Sequence, residues 1–209
     1  MESPFFVAKY NQHKQFLLCR DHLKGTVVDM GCGKKPFQKY LPDQIYIGVD
    51  NSHGNPDIVA SVTKVPLEDN YADSIICSEV LEHLPEPMRA MDEIKRLLKT
   101  GGHLYLTVPM MWYLHYMPHD YWRFTNFSLL AIMSKYGFKV KYMNRYGGLN
   151  YFIACRIGET IYNGLQKFFK QKMALILLAP IQMLLYGYSK LDKWNKRDSA
   201  GWVILAEKV

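Results

Sequence analysis

The sequence predicts an α/β fold in which short buried strands and amphipathic helices build a mostly parallel sheet. Two observations support this prediction. Through the first two thirds of the chain, short apolar runs alternate with segments of helical spacing, as expected for successive βα units. The chain then closes on the apolar segment GWVILAEKV, which has the composition of a final strand.

Five strands are predicted in the first half of the chain. They are Thr26–Met30, Ile45–Asp50, Asp57–Ala60, Ser74–Ser78 and His103–Val108. Between the last two, apolar residues recur at helical spacing in PEPMRAMDEIKRLLKTGG, and Gly101 stands where a left-handed C-terminal cap is expected. Thr125 is predicted to cap the next helix, which should end at Gly137 before a sixth strand, FKVKYMNR.

The length of the chain predicts one domain with an insertion. A chain of 209 residues that is 49% hydrophobic can bury one substantial core, so residues 1–209 are expected to form a single domain. About 50 residues separate the sixth strand from the last one, far more than an ordinary loop. Residues 147–200 are therefore predicted to form a helical insertion.

The composition of the chain bears on its cellular location and on whether it holds disulfides or a metal site. The four cysteines are widely spaced without a CxxC pair, which argues against a disulfide framework and against a zinc site, and no metal site is predicted. The first residues lack the features of a secretory signal, so a cytoplasmic location is expected. The net charge of +7 is compatible with an ordinary basic surface or an anionic partner.

The segment TVVDMGCGKKPF indicates a cofactor site. Glycines directly after a buried strand allow positive φ angles and leave no Cβ between the main chain and a ligand. A dinucleotide fingerprint would need a glycine where Pro36 stands, and a GxxxxGK[ST] phosphate loop is absent from the sequence. Asp50 ends the second strand about 20 residues later, where a carboxylate can accept both ribose hydroxyls. A turn-forming role before Asn51 and Ser52 is the alternative for Asp50.

In these segments the chain resembles the class I S-adenosylmethionine-dependent methyltransferases of the small-molecule type. The likeness runs from about Val27 to Gly137 through VVDMGCG, YIGVD, VPLEDNYADSIICSEVLEHL and IKRLLKTGGHLYLTVP. The resemblance implies a Rossmann-like sheet of seven strands in the order 3-2-1-4-5-7-6, mostly parallel, with helices on both faces, the last strand antiparallel and a helical insertion before it. It also implies S-adenosylmethionine as the methyl donor.

The resemblance assigns roles to individual residues of this chain. Asp29, Gly31 and Gly33 would surround the methionine part of the donor, and Asp50 would bind its ribose. Near the adenine, this chain has Ser61 where many relatives have an aspartate, so that contact would depend on backbone and Val62. The residues expected to border the sulfonium are Ser78 and Glu79.

The segment WYLHYMPHDYWRFT follows the fifth strand, at the sheet edge where ligands of such folds bind. Tyr121, Trp122 and Arg123 are predicted to bind the acceptor, because aromatic faces and a planar cation suit sugar rings and polar groups. The alternative is that Trp122 and Arg123 brace the loop, with the arginine paired to a carboxylate. Similar DYWRFT segments occur in relatives that are often associated with bacterial surface-glycan synthesis, so the resemblance suggests an acceptor of that kind.

A general base is required only if the acceptor must lose a proton. His119, His115 and His83 are the candidates, since neutral imidazole accepts a proton near pH 7. A purely structural role for His83 is equally open. The predicted activity is methyl transfer to a small-molecule, glycan or lipid-linked acceptor, and a noncatalytic binding or scaffold protein of the same fold is the alternative. Nucleic-acid methylation is not favoured, because no NPPY-like motif follows the fourth strand.

The insertion carries an apolar run, MALILLAPIQMLLY, that is flanked by lysines. At about 14 residues it is shorter than the roughly 20 that cross a bilayer. Peripheral membrane contact through residues 165–190 is therefore predicted, with aromatic residues at the headgroup level. These are Phe168, Phe169, Tyr186, Tyr188 and Trp194. Burial of the apolar face against the protein's own sheet or a second subunit is the alternative.

Overall fold

The computed structural model describes residues 6–51, 54–194 and 197–209. Its strands are β1 (Thr26–Met30), β2 (Ile45–Asp50), β3 (Ile58–Val59), β4 (Ala72–Ser78), β5 (Leu98–Pro109), β6 (Phe138–Arg145) and β7 (Gly201–Lys208). They form one sheet in the order β3-β2-β1-β4-β5-β7-β6. The strand order that the resemblance implies is confirmed.

Most of the sheet is parallel. The pairs β1–β2, β1–β4, β2–β3 and β4–β5 all run in the same direction. The last two strands run in opposite directions, because Tyr146 N donates to Gly201 O while Val209 N donates to Gly137 O, so the start of one strand meets the end of the other. The carboxyl ends of β1, β2 and β4 therefore lie along one edge, where a ligand site is expected.

The helices are α1 (Phe6–Cys19), α2 (Pro87–Leu97), α3 (Asn126–Tyr136), α4 (Leu149–Gln166) and α5 (Gln171–Ser189). The chain divides into two compact units. One comprises residues 17–144 and 202–209; the other comprises residues 145–201 together with the N-terminal segment up to Phe16. The predicted helical insertion before the last strand is confirmed, while its bounds, residues 147–200, stay a prediction. The prediction of a single folding domain stays a prediction.

The core of the sheet unit lies between the strands and two helices. Alternate strand residues such as Val28, Ile75 and Leu104 are fully buried there. Helix α2 contributes one apolar face, with Met91 and Ile94 fully buried. Burial of each side chain of this size stabilises the fold by about 1.5–3 kcal/mol.

Helix α3 begins and ends as predicted. Thr125 Oγ1 accepts a hydrogen bond from Ser128 N at 3.1 Å, and Ser128 Oγ accepts one from Thr125 N at 3.1 Å. This reciprocal pair is a capping box. Gly137 follows the helix with φ +76°, and its N–H donates to carbonyls of the last turn.

The predicted cap at Gly101 is wrong. Helix α2 ends at Leu97, and Leu98 is already extended, because it pairs with Ala72 as the first residue of β5. Gly101 does have a positive φ of 78°, but it lies inside β5, next to a shift of register opposite residues 72–74. A sheet contact between residues far apart in sequence therefore ends the helix before the local cap signal.

In the insertion unit, α4 packs on α5 through Tyr162, Ala174 and Leu178. Gly148 precedes α4 and has no side chain that could cap it. Asp192 supplies the missing acceptor from a distant position, since its carboxylate accepts from the backbone N–H groups of Gly148, Asn150 and Tyr151 at 2.8–2.9 Å. An anionic cap of this kind satisfies exposed N–H groups at the positive end of the helix dipole.

Candidate active site

The glycine turn after β1 is held against β2. The N–H groups of Gly31 and Cys32 both donate to Val49 O, at 2.8 and 3.1 Å. Gly31 has a φ of +80°, and a Cβ at this position would lie 2.4 Å from Val80 Cγ2. Both the conformation and the packing therefore require glycine at position 31.

Asp50 ends β2 directly beside this turn. One carboxylate oxygen accepts a hydrogen bond from Gly33 N at 3.0 Å, and the residue is only 8% exposed. The parallel pairing of β1 with β2 places the turn and the carboxylate at the same sheet edge. Ser52, part of the alternative turn-forming assignment of Asp50, lies outside the described residues.

A cavity of about 610 Å³ opens at this edge. Gly31, Asp50, Ser61, Val62 and Glu79, all predicted to bind the cofactor, line it together with two of the predicted bases, His83 and His119. The other lining residues are Asn51, Val80, Leu84 and Tyr116. Val80 and Leu84 belong to the SEVLEHL segment and could have been named from it, whereas nothing in the sequence distinguishes Tyr116.

Glu79 reaches the cavity through an uncommon backbone conformation. Its φ is +55°, in the left-handed region that residues other than glycine rarely adopt. The hydrogen bond from Glu79 N to Thr107 O, at 3.0 Å, fixes the chain to β5 at this point. Such strained positions are concentrated at functional sites.

Three of the predicted cofactor residues make other contacts in the structure. Gly33 has its N–H bonded to Asp50, and its φ is +48°. Ser78 Oγ lies 2.8 Å from Thr107 Oγ1 on the neighbouring strand. Asp29 is fully buried in β1, where its carboxylate accepts a hydrogen bond from the Tyr46 hydroxyl. Burial raises the pKa of Asp29 to about 7.

The loop after β5 is braced by an ion pair. Arg123 donates to both carboxylate oxygens of Asp120, at 2.6 and 2.8 Å, and also to the carbonyls of Trp112 and Tyr113. The paired arginine holds the pKa of Asp120 well below its usual range. Trp122 Nε1 donates to Leu84 O at 2.9 Å. These contacts match the bracing role that was the alternative for Trp122 and Arg123.

Trp122 and Arg123 also line a second cavity, of about 670 Å³. Its other walls include Met88, Phe124 and Ile132, so the cavity is largely apolar. Tyr121, the third residue predicted to bind the acceptor, is exposed, and its hydroxyl lies 3.2 Å from His119 Nδ1. Acceptor binding by these three residues stays a prediction.

The three predicted bases lie close together. His83 Nδ1 is 2.6 Å from His119 O, and the His83 and His115 rings stack edge-on with centroids 4.7 Å apart. Burial lowers the pKa of His83 below its ordinary value, so its imidazole is neutral near pH 7. His115 Nδ1 lies 3.3 Å from the Asp120 carboxylate. A neutral histidine at the cavity wall has the protonation state that a general base needs.

Comparison with known families gives a match within the sheet unit. Residues 28–106 match the family model described as a methyltransferase domain. Over this segment the chain is similar to methyltransferase domains. The matched residues contain the glycine turn, Asp50, Glu79 and His83, so the family match and the cavity concern the same part of the chain. The resemblance inferred from the sequence motifs is confirmed.

Curated relatives match part of the chain. An uncharacterized protein of Methanocaldococcus jannaschii is 30% identical over 115 residues, which cover 51% of this chain and 47% of that protein. A ubiquinone biosynthesis O-methyltransferase of Coxiella burnetii is 32% identical over 103 residues, which cover 41% of this chain and 44% of the enzyme. The chain thus spans less than half the length of these relatives.

Solved structures share the fold over nearly the whole chain. A SAM-dependent methyltransferase from Archaeoglobus fulgidus superposes with a TM-score of 0.62 at 18% identity, covering 97% of this chain and 94% of that one. The [4+2]-cyclase SpnF gives a TM-score of 0.63 at 18% identity, covering 93% and 80%. The fold is therefore shared by proteins that are named for different reactions.

Proposed function

We propose that the protein is an S-adenosylmethionine-dependent methyltransferase acting on a small-molecule, glycan or lipid-linked acceptor. The observation that carries the proposal is the position of the Asp50 carboxylate beside the Gly31–Gly33 turn, at the wall of the 610 Å³ cavity. A buried carboxylate at a strand end suits two ribose hydroxyls. Gly31 lets the turn pack closely against Val80, which also belongs to the cavity wall.

The residues around the cavity are suited to a displacement reaction. When bound, S-adenosylmethionine supplies a methyl group on a sulfonium, and an acceptor lone pair forms the new bond as the carbon–sulfur bond breaks. Most of the acceleration in such a reaction can come from aligning the two partners and excluding water. For a hydroxyl acceptor, His119 at the cavity wall accepts the departing proton.

The acceptor class is proposed from the second cavity and the loop beside it. Its apolar walls and the exposed Tyr121 and Trp122 favour an acceptor with a ring or an acyl chain. The Coxiella relative is named for O-methylation in ubiquinone biosynthesis, which agrees with a hydroxyl acceptor of this kind.

Isotope transfer tests the proposal. The purified protein is incubated with methyl-labelled donor and with fractionated lipids, glycans and small metabolites, and each fraction is analysed by mass spectrometry. We expect label in one acceptor class, and much less of it with Asp50→Ala when the donor concentration is held near the wild-type Kd. Donor binding without label in any fraction would favour the alternative of a noncatalytic binding or scaffold protein.

We further propose that α5 places the protein on an anionic membrane surface. From Met173 to Tyr188 its exposed residues recur at helical spacing and carry no charge; they are Met173, Ile176, Leu177, Pro180, Met183, Leu184, Gly187 and Tyr188. Leu191, just beyond the helix, is exposed as well. Leu184 is 76% exposed and Ile176 64% exposed. Contiguous apolar surface of this kind marks an interaction site.

Charge around this face favours anionic lipid as the partner. Lys167, Lys170 and Lys172 lie before or at the start of α5, and Lys190 and Lys193 follow its end. Basic residues that flank an apolar helix face add electrostatic attraction to anionic headgroups. Phe168, Phe169 and Tyr188 are exposed as well, whereas Tyr186 is half-buried and the Trp194 side chain lies outside the described residues.

By length and composition, one helix in the described part of the chain qualifies as a membrane span, over Gln171–Lys193 with a mean hydropathy of 1.4. At 23 residues, this helix is longer than the apolar run of about 14 residues from which a span was judged too short. Peripheral docking is nevertheless the proposal, because α4 packs on the other face of α5 and carries the Arg156–Glu159 ion pair. Insertion across the bilayer would bring these charges towards hydrocarbon, which is strongly unfavourable.

Liposome flotation tests the membrane proposal. We expect salt-sensitive binding to vesicles containing anionic lipid, and loss of binding when Ile176 and Leu184 are both replaced by serine. Phe127→Ser is the matched control, because Phe127 is equally exposed but lies on α3. A protein that stays unbound at low salt, with both residues protected in a dimer, would show that a second subunit covers this face.

A further inference from the structure

A buried carboxyl group lies directly after β4. Glu82 belongs to the short 3-10 turn Leu81–His83, and its side chain is completely buried. Within the described residues, neither of its carboxylate oxygens has a hydrogen-bond partner. A buried carboxyl without a partner is strongly disfavoured, so this position calls for a ligand that the protein itself does not provide.

Two histidines each direct their Nε2 atom towards this carboxyl group. His83 Nε2 lies 3.6 Å from Glu82 Oε1, and His115 Nε2 lies 3.9 Å from the same oxygen. The two histidines come from different segments: His83 follows β4, and His115 is in the loop after β5. This loop is fixed to the turn, because Tyr121 N donates to Glu82 O at 2.8 Å.

The opposite nitrogen of each histidine has an acceptor of its own. His83 Nδ1 is 2.6 Å from the carbonyl oxygen of His119, and His115 Nδ1 is 3.3 Å from Asp120 Oδ2. An N–H at each Nδ1 leaves the Nε2 lone pairs directed to the Glu82 side. Histidines that bind metals characteristically donate their second N–H to a carbonyl or a carboxylate in this way.

We propose that Glu82, His83 and His115 bind a divalent transition-metal ion such as Zn²⁺. Their three donor atoms lie within 4.8 Å of one another. Ligands at about 2.0–2.1 Å from a tetrahedral ion are separated by roughly 3.4 Å, so the donors need to move little to enclose one. This site departs from the expectation, based on cysteine spacing, that the chain has no metal site.

The donor set and the local charges favour a transition metal. Two imidazoles with one carboxylate suit zinc and its neighbours, and three protein ligands leave a coordination position open. The carboxylates of Glu79 and Asp120 add negative charge near Glu82, and the guanidinium of Arg123 offsets part of it. Because His83 also lines the 610 Å³ cavity, the ion would border that cavity. It could there polarise a hydroxyl group of a bound molecule.

The full chain, stripped with a chelator, is titrated with Co²⁺ while visible absorption is recorded, and Zn²⁺ is then added as a competitor. We expect one equivalent of Co²⁺ to bind saturably and to give the visible absorption spectrum of Co²⁺ with nitrogen and oxygen ligands. The melting temperature of the protein should rise when the metal is bound. Glu82→Gln and His115→Ala should each weaken binding at least tenfold. His22→Ala is the control, because His22 pairs with His103 away from these ligands.

Glu82→Gln nearly preserves the shape of the side chain, and circular dichroism of the metal-free variant checks its fold. The proposal is overturned if wild type shows no saturable binding, or if the folded Glu82→Gln and His115→Ala variants bind as tightly as wild type. It is also overturned by a thiolate spectrum, which would assign the ion to the cysteines. These readouts do not depend on methyl transfer, so they stand whether or not the proposed activity is found.

Discussion

Asp29 shows what burial does to a single carboxyl group. Burial raises its pKa to about 7, and the hydrogen bond from Tyr46 offsets only part of this effect. In the unfolded chain the pKa is about 3.9. The folded protein therefore keeps a proton that the unfolded chain loses, and Asp29 makes stability fall as the pH rises from about 4 to about 7.

Replacing Asp29 by asparagine tests this effect. Asparagine keeps an oxygen for the Tyr46 hydroxyl but has no proton to lose, so the variant should lack this loss of stability. Each unit of pKa shift corresponds to about 1.4 kcal/mol. Urea unfolding at pH 4.5 and 7.5 should show that wild type loses about 2–4 kcal/mol more than the variant over this range. Asp43→Asn, at an exposed position, is the control, and equal losses in all three proteins would refute the assignment.

His119 provides a test at the acceptor side of the cavity. His119→Ala keeps the backbone carbonyl that contacts His83 but removes the imidazole. With a hydroxyl acceptor we expect kcat to fall about 10²–10⁴-fold, the usual contribution of a general base. Donor affinity by calorimetry should stay within about twofold. If donor affinity fell while turnover at saturating donor persisted, the residue would belong to donor binding instead.

Helix α3 and β5 show, at the scale of elements, what the sequence can predict. The cap at Thr125 and the end at Gly137 were predictable, because both depend on bonds within a few residues. The start of β5 was not, because Leu98 is extended by pairing with Ala72, 26 residues earlier in the chain. Local sequence signals therefore predict the end of a helix where no strand pairing competes with them. They fail where such pairing extends the chain earlier, as at Leu98.

The capping box gives a prediction for α3 as an element. Thr125→Ala removes the acceptor for Ser128 N and should destabilise the protein by about 0.5–2 kcal/mol, measured by urea unfolding. Ser134→Ala, at an exposed position later in the same helix, should change stability by less than about 0.5 kcal/mol. Equal effects of the two substitutions would show that the cap contributes nothing specific.

At the scale of the whole molecule, the position of the candidate site followed from strand order. Asp50 ends β2 and Glu79 directly follows β4, the two strands on either side of β1. Because these strands are parallel, both residues were predictable at one edge of the sheet, and both line the same cavity. The contacts of Glu82 with His83 and His115 could not be predicted, because they depend on how the loop after β5 folds back onto the turn after β4. Local sequence patterns do not specify how such a loop folds back, so they cannot predict the side-chain cluster that it completes.

Donor binding at Asp50 tests the central claim most directly. Isothermal titration calorimetry with S-adenosylmethionine and its demethylated product is performed on wild type, Asp50→Ala and the control Asp43→Ala, in which an exposed aspartate is removed. We expect both ligands to bind wild type and the control equally. Asp50→Ala should lose roughly 1.5–3 kcal/mol of binding free energy, at least tenfold in affinity, through the lost charge-assisted hydrogen bonds. Unchanged affinity in Asp50→Ala would contradict the account.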